Sequence, residues 1–213
     1  PPLGPLFKRG TFADELFTLN KKRCLELCEA LETLGLFWDC QARVDLVDYE
    51  LLSKMKKAGC VAVGYGIESG SQKILDAMNK RITVQQIEEA MFLTRKVGLQ
   101  PKIQLIFGYP GETPETIKET IDLFKRVHDI GRRPNILCPF PGTPVYHFAK
   151  LSGLIKMNEE EYLQAVYEMY SSEGPPPVNL TEFKDEEINK IVAWYTDAMQ
   201  NNYFKYLITH PFE

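Results

Sequence analysis

A carboxylate and two hydroxyls stand among glycines in Gly64-Tyr65-Gly66-Ile67-Glu68-Ser69-Gly70-Ser71. That mixture suits a polar ligand, because a carboxylate accepts hydrogen bonds from hydroxyl or ammonium groups and glycine lets backbone approach closely. The segment follows the apolar run Val61, Ala62, Val63 and leads into a helix-like pattern, which predicts a glycine-rich turn at the carboxyl end of a strand. A second turn of the same kind, Gly108-Tyr109-Pro110-Gly111-Glu112-Thr113, follows the apolar run Ile103 to Phe107. Ligands of α/β folds bind at the carboxyl ends of strands, so the two turns point to one site. Arg43, near the end of another strand-like run, is a candidate for the same site, and Gln104 is a polar residue in the middle of a strand.

Other chemistries fare worse. Gly64-x-Gly66 suggests a dinucleotide loop, but the third glycine would fall at Ser69 and no ribose-binding acid completes the pattern. There is no glycine-lysine phosphate loop. Cys24-x-x-x-Cys28 could begin an iron–sulfur triad, which needs three thiolates on one short loop. The third position is Leu31, and both cysteines lie on the apolar face of a helix, so they read as core thiols. Cys40, Cys60 and Cys138 read as strand or core residues, with Cys138 the one to test for reactivity. His128, His147 and His210 lack ligand spacing, and Glu159-Glu160-Glu161 reads as a solvated helix start.

The elements that must position these residues alternate. Asn20 caps a helix from Lys21 to Leu34, ended by Gly35, before a strand from Leu36 to Val44. Asp48 caps Tyr49 to Ala58, stopped by Gly59, and Cys60 to Tyr65 is a strand. Thr83-x-x-Gln86 is a capping box opening a helix that ends at Gly98. Lys102 to Phe107 is a strand, and Thr113-Pro114 opens a helix to about Ile130, closed by Gly131. Pro134 to Pro139 is a last strand, and Thr11 to Phe17 reads as the end of an earlier one. Repeated βα units imply parallel strands with right-handed crossovers, in an open sheet or a barrel. Beyond Gly153 the pattern turns helical, with Met157 to Tyr170, a break at Gly174-Pro175-Pro176-Pro177, and Asp185 to Leu207.

The 213 residues suffice for a sizeable core, and 44% hydrophobic with 25% charged residues is ordinary for a globular chain. A net charge of −4 argues against a broad nucleic-acid surface. No run reaches the roughly 18 apolar residues of a membrane helix, and no signal peptide is visible. The five cysteines are odd in number and read as reduced thiols. The expected location is therefore cytoplasmic.

The motifs, taken in order, resemble radical S-adenosylmethionine enzymes, and most closely the subgroup whose members often carry an N-terminal cobalamin-binding domain. The resemblance runs from Thr11 to about Leu154. It passes through Phe12-Ala13-Asp14-Glu15-Leu16-Phe17-Thr18, Ala42-Arg43-Val44-Asp45, Met55-Lys56-Lys57-Ala58-Gly59-Cys60, Gly66-Ile67-Glu68-Ser69-Gly70-Ser71, Gly108-Tyr109-Pro110-Gly111-Glu112-Thr113 and Pro139-Phe140-Pro141-Gly142-Thr143-Pro144. It implies an α/β fold, a partial (β/α)6 TIM-like barrel over residues 1–153 that lacks its first βα unit, with a helical C-terminal extension over 154–213.

The resemblance also implies S-adenosylmethionine lying across the strand ends. Asp14 and Glu15 would then stand near its methionyl amino group, Glu68, Ser69 and Gly70 near its ribose or methionyl part, and Arg43 at its carboxylate. Gly108, Gly111 and Glu112 would shape the adenine side, and Pro139 would help close the site. Family members show two aspartates where this chain has Asp14-Glu15. They carry a three-cysteine loop for a 4Fe–4S cluster upstream of the region matching Thr11, and this chain has none. The expectation is therefore a portion of a larger enzyme, incompetent alone. The parent would use the cluster, perform methylation, cyclisation or another carbon-centred radical reaction on a small molecule or modified metabolite, draw electrons from a donor such as flavodoxin or ferredoxin, and in some cases hold cobalamin. The alternative is a cluster-free relative that binds a nucleotide-like ligand or a partner without catalysis. A dehydrogenase falls with the missing dinucleotide pattern.

Overall fold

The computed structural model describes residues 9–14, 16–129, 133–172 and 176–209, with backbone alone at 172 and 202–209. Its strands are β1 (Arg9–Thr11), β2 (Phe37–Ala42), β3 (Cys60–Glu68), β4 (Gln100–Phe107) and β5 (Asn135–Ile136). All neighbours pair in parallel, and the sheet order is the chain order, β1-β2-β3-β4-β5. The connecting helices are α1 (Lys21–Glu32), α2 (Tyr49–Lys57), α3 (Gln72–Ala77), α4 (Val84–Lys96) and α5 (Pro114–Arg126). Right-handed crossovers that always step the same way put every connecting helix on one face of the sheet. Among the described residues none of these connecting helices covers the other face, and the sheet curls into a half-barrel around it.

The two faces differ accordingly. Trp38, Cys40, Val63, Tyr65, Ile67, Ile103, Leu105 and Phe107 are buried against the helices. Asp39, Gln41, Lys102, Gln104 and Ile106 alternate with them and remain partly or fully exposed. On the helix side Tyr65 Oη lies 2.7 Å from Thr94 Oγ1, and the Trp38 indole donates to the Ala58 carbonyl at 2.8 Å. Each apolar side chain buried there contributes about 1.5–3 kcal/mol.

The helices start where local hydrogen bonds make them start. Asn20 accepts from the Arg23 amide, Asp48 from Leu51, Thr83 from Gln86 and Thr113 from Thr116, with Pro114 at the first helical position. After β5 come α6 (Pro144–Leu151), α7 (Glu159–Ser172) and α8 (Asp185–Thr209). Tyr146, Ala149, Ile155, Tyr162, Val166 and Leu180 build a second small core across residue 153, whereas Ile188, Val192, Tyr195 and Met199 of α8 join the main core beside α5. Among the described residues no helix is long and apolar enough to cross a membrane.

Several boundaries differ from the sequence reading. Gly64 and Gly66, expected in a turn, lie inside β3, which pairs on both sides and runs on to Glu68. β2 stops at Ala42 because Val44–Leu46 winds into a 3-10 turn. β5 keeps only two residues, since Pro134, Pro139 and Pro141 have no amide to offer a ladder. β1 ends at Thr11; beyond it Phe12 to Asp14 have no regular structure and Leu16 and Phe17 lie in a turn, where the sequence suggested the end of a strand. α3 and α6 were not delimited in the sequence reading. Glu15, Gly131, Gly174, Pro175 and His210 lie outside the described residues.

Candidate functional site

The face of the sheet opposite α1 to α5 carries polar side chains. Gln41, Gly64 and Lys102 pair across β2, β3 and β4, and Gly66 pairs with Gln104. A Cβ added to Gly64 would collide with the Gln41 amide oxygen, and one added to Gly66 would stand 2.7 Å from Glu68 Oε1 and 3.8 Å from Gln104 Oε1. The two glycines thus keep the floor low between three polar side chains. Lys102 Nζ reaches across β3 to Asp39 Oδ2 at 3.1 Å. Burial pushes the Asp39 carboxyl up, but hydrogen bonds from Lys102 and Thr11 outweigh it and hold it below the usual range. A cavity of about 790 Å³ opens over this face, walled by Glu68, Gln104, Ile106, Asn135, Leu137 and Phe140, among others. That is within the ordinary range for small-molecule sites.

Glu68 is aimed there by its backbone. The β3–β4 register shifts between Gly66 and Glu68, and Glu68 has φ 66, in the left-handed region. Such a residue costs about 1–3 kcal/mol unless its surroundings hold it, and such strain concentrates at binding sites. Its carboxylate accepts from Lys80 Nζ at 2.8 Å. Lys80, which the sequence reading missed, sits between Asn79 (φ 53) and Arg81 (φ 56), both left-handed without being glycine. Its carbonyl is 3.4 Å from Arg43 Nη2. The run Asn79-Lys80-Arg81 carries no apolar period and no glycine, so a strained loop was the one signal, and it is visible only in three dimensions.

The other expected residues are placed as follows. Arg43 grips Asp45 with Nε and Nη2 at 2.9 and 3.0 Å. Asp14 accepts the Leu16 amide at 3.1 Å and Arg23 Nη1 at 3.0 Å, which hold its carboxyl below the usual range. Ser69 and Gly70 turn away from the cavity toward α5, where Gly70 N–H donates to Thr120 Oγ1 at 2.9 Å. Gly108 (φ 100) and Gly111 (φ 86) bend the loop after β4, and Gly108 N–H donates to Glu112 Oε2 at 2.6 Å. Pro139 is buried, and its carbonyl accepts from Tyr162 at 2.9 Å. Of the ten expected residues, Glu68 is the one that lines the cavity among the described residues.

Glu112 has an electrostatic consequence. It is 2% exposed, and burial pushes its carboxyl up to about 7 against the pull of the Gly108 and Tyr109 amides. The folded chain therefore keeps this proton across the window from about 4.5 to 7, where the unfolded chain has lost it. Stability from this group falls as pH rises through that window, by about 3 kcal/mol in total. Urea unfolding at pH 5 and pH 8 should show that loss in the native chain and a flatter profile in Glu112→Gln. Equal slopes in the two proteins would contradict it.

A family model described as the Radical SAM superfamily matches residues 10–124. An uncharacterized methyltransferase of Pyrococcus horikoshii is 33% identical over 188 residues, covering 87% of this chain and 39% of that protein. An anaerobic magnesium-protoporphyrin IX monomethyl ester cyclase of Rubrivivax gelatinosus is 38% identical over 112 residues, 51% of this chain and 20% of that protein. Among solved structures, the radical S-adenosylmethionine methyltransferase TsrM of Kitasatospora setae, with cobalamin and a 4Fe–4S cluster bound, superposes with a TM-score of 0.61 at 21% identity. That match covers 70% of this chain and 29% of TsrM, and it concerns the fold. The chain spans well under half the length of these relatives.

Proposed function

The chain belongs to the Radical SAM superfamily, and on that premise we propose that it is the S-adenosylmethionine-binding part of an enzyme that methylates or cyclises a small molecule. The observation that carries this reading is the glycine-floored polar face with Glu68 lining its cavity and Lys80 paired to that carboxylate. Ribose hydroxyls or an ammonium group would donate to Glu68, and Lys80 would take the methionyl carboxylate, a charge-assisted pair. Gln104 and Asn135 offer amides to the remaining polar atoms, while Ile106 and Phe140 offer apolar contact. Ser69, Gly70, Gly108, Gly111, Glu112 and Pro139 enter as the frame of the site. Asp14 and Arg43 already hold charged partners, which a ligand's amino or carboxylate group would have to share.

The family implies a 4Fe–4S cluster, and the cysteines of this chain do not fit one. Cys24, Cys28, Cys40, Cys60 and Cys138 are all buried, the first two on the core face of α1 and the next two in strands. Contact with Cys28 and burial push the Cys24 thiol up, and contact with Cys60 and burial do the same to Cys40, so both stay protonated. Among the described residues no three His, Cys, Asp or Glu side chains are grouped to hold a metal ion. We assign no step through a cluster to these residues. Their part is to bind S-adenosylmethionine, orient it and exclude water from it. The methyltransferase and cyclase relatives support methylation or cyclisation as the reaction class, with cobalamin a cofactor of the solved neighbour TsrM.

The test compares S-adenosylmethionine with its decarboxylated analogue by calorimetry. Loss of the carboxylate should weaken binding about 10-fold in the native chain, and Lys80→Met should remove that difference. Equal affinity for the two ligands in the native chain would take Lys80 out of the site.

A further inference from the structure

Behind the ligand face, the turn from Glu68 to Ser71 is fastened to the middle of α5 at a single side chain. Thr120 is fully buried. Its Oγ1 accepts the Gly70 amide at 2.9 Å, lies 3.4 Å from Ser69 Oγ and donates to the Thr116 carbonyl at 3.2 Å. Tyr195 of α8, also buried, packs beside α5 in the main core and brings its hydroxyl toward the same threonine. A hydroxyl has one proton and two acceptor positions, so the contacts with Gly70, Ser69 and Thr116 use all of its capacity. The backbones touch as well, because a Cβ on Gly70 would stand 2.6 Å from Thr120 Cα. Ser69 Oγ in turn accepts the Ser71 amide at 3.1 Å.

We propose that Thr120 is a positioning residue for ligand binding: its hydroxyl, braced from α8 by Tyr195, holds the turn in the one conformation that aims Glu68 at the concave face. This rests on the S-adenosylmethionine reading of that face. The physical need is set by Glu68 itself, whose left-handed φ of 66 persists only if neighbouring contacts over-determine it. Thr120→Val keeps the shape of the side chain and removes the acceptor. The Gly70 amide is then buried without a partner, and the turn relaxes toward conformations that satisfy it and release Glu68. The C-terminal helix α8 then serves as a brace behind the binding turn.

Two readouts separate positioning from mere stability. In the full chain, Thr120→Val should raise the Kd for S-adenosylmethionine about 10-fold, while Thr120→Ser, which keeps the hydroxyl, should stay within about 2-fold. Ile121→Val, a neighbouring core change on α5, should lower thermal stability without moving Kd. Independently of any ligand, amide exchange at Gly70 should speed up about 10-fold or more in Thr120→Val and not in Ile121→Val. If Thr120→Val does not fold, Tyr195→Phe carries the same two measurements. Unchanged Gly70 exchange, or a Kd that follows thermal stability across all variants, would overturn the proposal. If the native chain shows no S-adenosylmethionine binding, the ligand reading fails, and Gly70 exchange still decides whether Thr120 holds the turn.

Discussion

Gly59→Ala should destabilise the folded chain by about 4 kcal/mol, the sum of a left-handed backbone penalty and a steric one. Gly59 follows α2 with φ 92, and an added Cβ would overlap the Leu36 carbonyl oxygen. That oxygen is backbone at the entry to β2 and cannot swing aside as a side chain would. The same corner is tied by two further contacts, Trp38 N–H to the Gly59 carbonyl at 3.1 Å and the Trp38 indole to Ala58. Moving the corner would therefore disturb the start of β2 and the seat of a fully buried tryptophan. Gly98 supplies the contrast. It has φ 78, yet a Cβ there would meet only the end of the Lys56 side chain, at 3.7 Å. Gly98→Ala should cost about 1–2 kcal/mol, from the backbone alone. Urea unfolding of the two variants reads the difference, and equal losses would show that the Leu36 clash relaxes at no cost.

The second large effect concerns binding. Glu68→Ala should weaken S-adenosylmethionine binding about 10- to 100-fold, the worth of one charge-assisted hydrogen bond. Glu68→Gln should fall between, because the amide oxygen still accepts from a hydroxyl but no longer pairs with the Lys80 ammonium. Neither variant should unfold the sheet, since the Glu68 side chain lies on the face opposite α1 to α5. Calorimetric titration at constant salt measures it, with thermal melting as the control for folding. An unchanged Kd in a folded Glu68→Ala protein would remove this carboxylate from the site.

What could be read from the sequence was what local chemistry fixes. Asn20, Asp48, Thr83 and Thr113 cap helices through hydrogen bonds three residues long, and those helices begin where expected. The parallel βα order followed from the rhythm of apolar runs. Gly64 and Gly66 misled because glycine in a chain reads as a turn, whereas here pairing with two neighbouring strands keeps both extended and their lack of a side chain opens the floor. Ser69 and Gly70 lie in the same turn as Glu68, but which way a hydroxyl faces is set by α5, fifty residues further along the chain. Arg43, expected at a ligand carboxylate, is paired instead with Asp45 two residues along the chain. Lys80 was invisible because its loop is defined by left-handed backbone at Asn79 and Arg81, not by residue pattern. The raised Glu112 carboxyl likewise depends on burial under a loop, which composition does not report.

The most direct test of the account is a titration of the isotope-labelled chain with S-adenosylmethionine, followed through its backbone amide signals. The account predicts saturable shifts at Gly66, Glu68, Gly70, Lys80 and Gln104, all on or behind the concave face, with little change around Trp194 on the outer surface of α8. Saturable shifts centred on the outer helices, or none at ligand concentrations that saturate a relative with its cluster in place, would contradict the assignment of this face as the S-adenosylmethionine site.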